Sequence, residues 1–595
     1  MNAVMTLIEA IMLIVGAASA EELDEHETER FVWLSGHPLN INSASRRALS
    51  ESGLFTDFQV VALLDYISAT GPVLSRSELA VIDGFDEETA EALSFFITFG
   101  AAPEKGCWHY DGRLYSGASS AWSAGGTAAS GIGSADVSGV YGTDCRVSCG
   151  EKYEFGFAGA GTWSRRRTGE GLWQPVRNEM SVLSLSSAVS LLGNRLRLYA
   201  GDFNMRFGQG LAAWNTMTID DPSSVSSLIR RPTGIKASRS LTGNYAQTGF
   251  GVTFEAGQVT FSTAVTAPGL KRALLGQINS SRKKSDVAGF QGLLNCNWWH
   301  RRFSLGLTSV VAGTPTIASC TADFSVDFRG CFGGIDIASE LAGGIGMPFR
   351  ALVSATSPQF AEHFRSGASF RYTRSKHIAL LTSEFTSRSG HSATVSFRLR
   401  HSAGDSSAKA YGQSEAKEAK TRLPGTNDCR VDVRYRFRWG ETSAVALRFR
   451  ENIDLGNIES GGVFSCRGDV TVGYSEIWAS VASVSFSHSG KWGMVAFLEE
   501  SCRATGTLSA YLRGGLFSVD NWAGRIYVYE HDLPGRFNVP AFYGRGVWGS
   551  FYLSWKFCRA GKLSARLAYF TYPFMPHDKR KPDKAEGRLM LTLGF

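Results

Sequence analysis

The last eight residues constrain the fold most, because apolar and polar side chains alternate along them. Residues 588–595 read Arg-Leu-Met-Leu-Thr-Leu-Gly-Phe, so three leucines and the final Phe595 fall on one face of an extended segment. A period of two is typical of a β-strand with one apolar and one polar side. The same alternation returns in residues 183–189, 195–200, 249–254, 259–265, 303–310, 393–399, 431–439, 551–557 and 563–569.

A strand that ends on an aromatic residue resembles the closing strand of bacterial outer-membrane β-barrels, where a terminal Phe helps the assembly machinery recognise its client. The composition agrees, since 60 of the 495 residues from 101 onward are Gly and the chain holds 38 Phe, 18 Tyr and 14 Trp. Such a composition suits a sheet with many turns and aromatic girdles. We therefore expect a mainly β protein, with a large transmembrane antiparallel β-barrel of on the order of 20 strands over residues 101–595. A large soluble β protein is the alternative.

The first 37 residues indicate export. Residues 1–20 have an apolar centre and end in Ala18-Ser19-Ala20, which is typical of a cleaved signal peptide. Two features depart from the usual signal, because no Lys or Arg precedes the apolar centre and Glu9 interrupts it. Residues 21–37 read as an acidic linker. After residue 20 no apolar run approaches the roughly 18–20 residues of a membrane helix.

Residues 38–100 have a helical pattern, with helices expected over residues 58–69, 77–82 and 87–97 and Ser43 expected as the N-cap of an earlier helix. The segment resembles the tandem helix-hairpin-helix domain of the competence DNA-receptor family. The resemblance rests on Leu39-Asn40-Ile41-Asn42-Ser43-Ala44, on two Gly-centred turns thirty-one residues apart, and on Gly71-Pro72 between them. It implies that the hairpins bind DNA or dock a partner through Ser52, Gly53, Leu54, Gly84 and Phe85.

Two observations disfavour DNA as the ligand of this small all-α domain. In the family each hairpin carries a second Gly, where this chain has Phe55 and Asp86. Residues 21–100 hold 15 Asp and Glu against 4 Arg and no Lys, whereas non-specific DNA binding depends on Lys and Arg. Residues 101–595 hold 57 Lys and Arg against 38 Asp and Glu. The opposite charges predict that the domain docks on the periplasmic mouth of the barrel or enters its lumen.

Two further stretches, residues 201–240 and 525–546, resemble segments of a Bacteroidota family of large outer-membrane proteins that carry the same N-terminal domain. In the first stretch, the flexible Gly208-Gln209-Gly210 favours a bulge or an inward loop. A basic cluster beside Asp220-Asp221-Pro222 would either bind an anionic substrate or form an internal salt-bridge network, to which Asp202 with Arg206, and Glu530 with Arg525, would belong. The predicted luminal loop comprises Gly201, Asp202, Arg206, Phe207, Gly208, Gln209, Gly210, Arg230, Arg231, Gly234, Lys236 and Arg239.

No catalytic motif, metal site or cofactor is predicted. The sequence has no G-x-S-x-G elbow, P-loop or H-E-x-x-H, and its ten cysteines are scattered without a CxxC pair. The sequence allows one or two disulfides.

The leading hypothesis is a transport or translocation protein of the outer membrane with a periplasmic gating or docking domain, in contact with lipid and a periplasmic protein. The alternatives are a DNA-uptake component and a non-transporting envelope scaffold. Residues 402–427 and 577–584 are expected to form external loops.

Overall fold

A computed structural model describes most of the chain. The described residues are 34–35, 38–85, 87–100, 108–122, 135–166, 174–215, 224–239, 246–267, 289–300, 302–313, 320–358, 363–387, 389–403, 426–440, 442–456, 462–475, 477–504, 507–534, 536, 538–575 and 581–595. The predicted signal peptide, nearly all of the acidic linker and Asp220-Asp221-Pro222 lie outside them, as do residues 404–425 and 577–580 of the two predicted external loops. The predicted bounds of both loops are too wide, because Ser402, Thr426, Asn427, Asp583 and Lys584 belong to strands.

Residues 38–100 form a small helical unit, which we call the module. Its helices are α1 (Arg46–Ser52), α2 (Asp57–Thr70), α3 (Arg76–Leu79) and α4 (Glu87–Leu93). Thr56 and Gln59 form a capping box at the start of α2. The strands β1 (Leu39–Asn40) and β2 (Ile97–Thr98) pair in parallel and join the two ends of the module. Fifteen buried apolar residues of the module, among them Leu49 and Leu63, form its core together with Leu34.

The structure corrects the predicted helix boundaries. Ser45, not Ser43, caps α1, and its hydroxyl accepts a hydrogen bond from the N–H of Ala48 at 3.1 Å. The last helix ends at Leu93 rather than at residue 97, because Ile97 is used in the parallel pair with Leu39. Helix α3 has only four residues, so the 77–82 segment completes a single turn. Gly53 ends α1 with φ +67°, a left-handed conformation that glycine adopts without strain.

The remainder of the described chain is a closed antiparallel barrel of 24 strands. Strand β8 (Gly234–Ala237) lies outside this count because it pairs only with the end of β7. The 24 strands are β3 (Trp108–Trp122), β4 (Ala135–Cys149), β5 (Tyr153–Arg166), β6 (Arg177–Leu191), β7 (Leu196–Arg206), β9 (Gln247–Ala256), β10 (Val259–Thr266), β11 (Phe290–Trp299), β12 (Phe303–Gly313), β13 (Thr321–Phe332), β14 (Ile335–Ile345), β15 (Met347–Thr356), β16 (Phe364–Thr373), β17 (Lys376–Thr386), β18 (His391–Ser402), β19 (Thr426–Trp439), β20 (Ser443–Asp454), β21 (Val463–Gly473), β22 (Trp478–His488), β23 (Trp492–Ala504), β24 (Leu508–Val519), β27 (Gly544–Cys558), β28 (Gly561–Thr571) and β29 (Asp583–Gly594).

The barrel closes where β29 pairs with β3, with Leu589 opposite Ser116. All connections on one rim are short, for example residues 150–152, 192–195 and 257–258, and we call it the turn rim. The opposite rim, the loop rim, carries the long connections between β18 and β19 and between β24 and β27. The short strands β25 (Ile526–Tyr527) and β26 (Ala541–Phe542) form a separate hairpin within the latter connection.

Strand β7 leaves the wall part-way along its length. It pairs with β6 only as far as Gly201 and with β9 only as far as Phe203, and its residues 203–206 pair with β8. Gly201 has φ +91°, and a Cβ there would lie 2.2 Å from the carbonyl oxygen of Leu185. Only glycine fits this turn, which directs the following residues into the barrel.

Among the described residues, no helix has the length and apolar character needed to cross a membrane. The nine described cysteines are all unpaired, so the disulfides left open by the sequence are not found among them.

Candidate functional site

The barrel wall is apolar outside and polar inside. On β13, for example, Phe324 and Val326 point outward and are each 51% exposed, whereas Asp323 and Asp327 point inward and are buried. The predicted apolar face of β29 also points outward, with Leu589 and Phe595 exposed. This arrangement is the reverse of a soluble protein, in which large apolar side chains are mostly inside. Buried charges are costly unless they are paired, so the lumen has to supply their partners.

The first set of partners comes from residues 202–215 and 224–239, which we call the inner loop. Glu340 on β14 accepts hydrogen bonds from the backbone N–H groups of Gln209, Leu211 and Ala212 at 2.7, 3.0 and 3.2 Å. The close approach depends on glycine, because a Cβ at Gly208 would lie 2.9 Å from the Glu340 carboxyl group. A single buried carboxylate thus holds the tip of the loop against the wall.

Two more wall residues hold the inner loop at its backbone. Arg350 on β15 donates to the carbonyl of Leu211 at 2.7 Å, and Glu384 on β17 accepts from the N–H of Val225 at 2.8 Å. Within the loop, the Gln209 side chain bonds both the N–H and the carbonyl of Arg230, at 2.9 and 3.2 Å. The inner loop therefore has a fixed structure inside the lumen.

The predicted basic residues of this loop do not form one patch. Arg239 pairs with Asp111 and Asp144 of the wall, at 2.7 and 3.3 Å. Arg206 and Arg230 both lie against the ring of Trp214, with 5.5 and 5.6 Å from guanidinium carbon to ring centroid. Arg231 and Lys236 instead point to the module. The other predicted loop residues lie along the same path: Gly201, Gly208, Gly210 and Gly234 have positive φ, and Asp202 and Phe207 are buried.

The second luminal segment, residues 525–542, is the inner hairpin. Its Glu530 is fully buried and pairs with Arg566 of β28, not with the predicted Arg525. Glu530 also accepts from the indole N–H of Trp548 at 2.8 Å. Arg525 lies near the loop rim instead, where it packs on the ring of Trp522. The partner of Glu530 lies on a wall strand that is distant in sequence, so closeness in the sequence could not identify it.

The inner hairpin is held by a second group of charges. The His531 ring stacks on Tyr511 with 3.9 Å between ring centroids, and its Nε2 lies 3.3 Å from Glu499. Asp532 pairs with Arg588 of the closing strand. Burial raises the pKa of the Asp532 carboxyl above its ordinary value, although the neighbouring Arg588 acts in the opposite direction.

The module lies across the turn rim. Ser45 donates to Glu151 at 2.6 Å, and Arg47 reaches both Glu151 at 3.3 Å and the carbonyl of Asn194 at 2.8 Å. Arg46 donates to the carbonyl of Gly257 at 2.8 Å. These barrel residues lie in three successive turns of the rim. The helical module therefore lies against this side of the turn rim.

A second group of contacts lies deeper. Glu51 accepts from the Tyr199 hydroxyl at 2.9 Å and lies 3.9 Å from Arg197, while its carbonyl accepts from Lys236 at 3.1 Å. We use the name rim latch for the contacts of both groups that involve Ser45, Arg47, Glu51, Glu151, Asn194, Arg197 and Tyr199.

The first predicted hairpin points into the lumen. Ser52, Gly53 and Leu54 are buried, and the carbonyl of Leu54 accepts from Arg231 of the inner loop at 3.3 Å. In the second hairpin Phe85 is buried against Phe55 in the module core, with 6.1 Å between ring centroids. Gly84 is exposed, and its carbonyl accepts from Gln59 at 2.7 Å. The first hairpin thus faces protein rather than solvent.

A cavity of about 140 Å³ lies between the module, the inner loop and the wall. Its lining is basic, since it contains one carboxylate, Asp336, and His300 with five arginines. The arginines are Arg230, Arg231, Arg302, Arg329 and Arg365. Within the described part of the chain, no group of three or more His, Cys, Asp or Glu residues is arranged to hold a metal ion.

Sequence reasoning found the glycines and most basic residues of the inner loop but missed the wall residues that hold it. Alternation along the strands predicts that the side chains of Glu340, Arg350 and Glu384 point inward. It cannot predict their partners, which are backbone groups of a segment that is distant in the sequence. The rim latch was also missed, because Glu151 and Asn194 stand in short polar turns that have no motif.

No protein-family model and no curated protein matches the chain. Among solved structures, the P pilus usher (PapC) translocation pore is similar at 12% identity and a TM-score of 0.41, over 82% of this chain and 99% of that one. The siderophore receptor PirA from Pseudomonas aeruginosa is similar at 8% identity and a TM-score of 0.38, over 83% and 81% of the two chains. The copper transporter OprC gives 9% identity and a TM-score of 0.35, over 84% and 82%. These values are too low to assign a function.

Proposed function

We propose that the chain is an outer-membrane transport or translocation barrel whose helical module closes the periplasmic mouth. The observation that carries the proposal is the inverted polarity of the closed wall. Its strands have 8 to 15 residues, and about 9–11 tilted residues span a bilayer. A closed barrel satisfies its backbone groups internally, as a membrane requires, and its exposed apolar face would contact lipid.

The short connections support an orientation in the membrane. Barrels of this class have short periplasmic turns and longer external loops, so the turn rim would face the periplasm. The module would then be periplasmic. Its formal charge is opposite to that of the barrel, with nine acidic residues and three arginines in residues 38–100. Complementary charge and the rim latch together support the role of the module as a gate that rests in the closed position.

DNA uptake is the weaker hypothesis. In the docked module the first hairpin is buried against the inner loop, so DNA would first have to displace the module from the mouth. The acidic charge of the module would also repel phosphates. We expect the full-length protein to show no binding of double-stranded DNA across a salt series. Micromolar binding that weakens with salt would reverse this ranking.

Conductance across a planar bilayer tests the gate. We expect small or rare currents from the reconstituted full-length protein and larger or more frequent currents from the double variant Arg47→Ala/Glu151→Gln, which removes the main contacts of the rim latch. The control is Arg545→Ala, because Arg545 forms an exposed ion pair with Asp520 at the loop rim, 2.9 Å apart. Currents that are equal in all three proteins would exclude a gating module. No current from any of them would exclude transport through the barrel and favour a scaffold.

A further inference from the structure

Three aromatic side chains are exposed where the inner hairpin enters the barrel at the loop rim. Trp522, Tyr527 and Tyr543 are 50%, 43% and 37% exposed. Trp522 and Tyr543 stand on either side of the hairpin in the chain, and their rings are perpendicular with 4.6 Å between the centroids. Next to them, Phe542 belongs to a buried apolar core between the hairpin and the wall. The three exposed rings lie outside this core.

The ring of Tyr527 faces away from the wall. Its neighbours Ile526 and Val528 are buried in the core that joins the hairpin to the wall. Because successive side chains of an extended segment point to opposite sides, Tyr527 points toward the lumen. An aromatic membrane girdle would instead project outward from the wall to the lipid interface. An apolar surface that is left exposed in this way is typical of a binding site.

Arg525 is held between two of these rings. Its guanidinium carbon lies 4.7 Å from the ring centroid of Trp522 and 5.4 Å from that of Tyr527. Its Nε donates to the Tyr527 hydroxyl at 2.6 Å, and its Nη1 donates to the carbonyl of Trp522 at 3.0 Å. These contacts fix the guanidinium group and leave its Nη2 without a hydrogen-bond partner among the described residues.

A second cation stands beside the same rings. The Lys581 amine lies over the ring of Tyr543 and donates to the Tyr543 carbonyl at 2.8 Å. Burial lowers the pKa of this amine to about 8, so it still carries its charge at neutral pH. Within the described part of the chain neither Lys581 nor Arg525 forms an ion pair, whereas Arg545 on the same rim pairs with Asp520.

We propose that this cluster binds an organic anion that carries its carboxylate or phosphate group on a ring. We call the cluster the aromatic clamp; it comprises Trp522, Arg525, Tyr527, Tyr543 and Lys581. A guanidinium group forms charge-assisted hydrogen bonds with either kind of anion, and the flat face of the ligand ring would pack on the exposed aromatic rings. The outward orientation of the aromatic clamp rests on the function proposed above, but the binding itself does not.

Isothermal titration calorimetry of the full-length protein in detergent micelles tests the aromatic clamp. The ring anions are glucuronate, benzoate and phenyl phosphate, which separate a sugar ring from an aromatic ring and a carboxylate from a phosphate. Acetate and inorganic phosphate supply the charge alone, and glucose supplies a ring alone. We expect at least one ring anion to bind at least tenfold more tightly than any of these three. Arg525→Gln should weaken that binding at least tenfold, and Trp522→Leu should weaken it severalfold.

The matched control is Arg545→Gln, because Arg545 is an arginine of the same rim that already has a carboxylate partner. It should leave the affinity unchanged. An absence of binding by all three ring anions, equal affinity for acetate or inorganic phosphate, or equal affinities of the Arg525→Gln and Arg545→Gln variants would overturn this inference. Because the assay needs no membrane, such a result would leave the transport function in place. A barrel without conductance that still binds a ring anion would keep the site and lose the transport function.

Discussion

The inner surfaces of β13–β14 and of β18–β21 are both charged, but they use their charges in opposite ways. On β14 the carboxylate of Glu340 is 1% exposed, and three backbone N–H groups of the inner loop satisfy it. On β18–β21, guanidinium groups stand directly opposite one another, with Arg434 opposite Arg448, and Asp428 and Asp432 of the same strands pair with five arginines. A buried charge has to be matched by specific partners. Glu340 finds them in the backbone of the inner loop, whereas these ion pairs of β18–β21 join side chains of the wall itself.

The largest effect is expected on the closed side, at Arg566. The substitution Arg566→Ala leaves Glu530 buried without its guanidinium partner, and breaking a buried pair in this way costs about 3–5 kcal/mol. Urea unfolding in detergent micelles, followed by circular dichroism, would measure the loss. Arg177→Ala is the control, since its side chain is 77% exposed. If Arg566→Ala cost no more than Arg177→Ala, Glu530 would not depend on this pair.

A smaller but local effect is expected at Glu340. In Glu340→Ala the N–H groups of Gln209, Leu211 and Ala212 lose their acceptor, which we expect to cost about 3 kcal/mol. The inner loop should then become accessible before the barrel unfolds. Limited proteolysis within residues 207–215 would detect this, with Glu500→Ala as the control because Glu500 lies on an exposed position and bonds Ser480. Cleavage at equal rates in both variants would show that Glu340 does not hold the loop.

The rim latch should contribute less, because Glu151 is partly exposed to solvent and water screens its interactions. We expect Arg47→Ala/Glu151→Gln to weaken docking of the module by about 1–2 kcal/mol. Proteolytic release of the intact module should become faster, and in the parent protein it should also become faster with salt, since salt screens exposed charges. Release that is insensitive to both changes would contradict electrostatic docking.

The arginines of β18–β21 should show the smallest effect on stability. Neutralising Arg434, Arg448 and Arg467 removes like-charge repulsion as well as ion pairs. We therefore expect the free energy of unfolding to change by no more than about 1 kcal/mol in either direction. The same unfolding assay applies. A loss as large as that of Arg566→Ala would mean that these arginines are structural, and the contrast between the two surfaces would fail.

Much of the fold could be predicted from the sequence because a barrel strand repeats one local rule. The alternation around Leu589 and Leu591 reports which face meets the apolar environment, and that choice needs no knowledge of distant residues. The number of strands is harder to predict, since about 20 are expected and the described residues form a barrel of 24. Many segments, such as β21, alternate too weakly to be recognised alone.

Only part of the luminal site could be predicted from the sequence. Gly208 and Gly210 indicated a segment too flexible for a strand, and the structure places them at the tip of the inner loop. The pairing of Glu530 with Arg525 was wrong, because proximity in sequence is a poor guide inside a barrel. There the partner of a charge comes from whichever strand faces it across the lumen.

The two-sided strands, the opposite charges of the module and the barrel, and the glycines at which the chain turns inward can all be predicted from the sequence, because each depends on local residue type and spacing. The structure is needed to show which carboxylate holds which loop, that the first hairpin faces Arg231, and that the arginines of four strands form one surface. These features depend on strand register and on barrel closure. Register brings together residues that are far apart in the chain, and no local pattern encodes that distance.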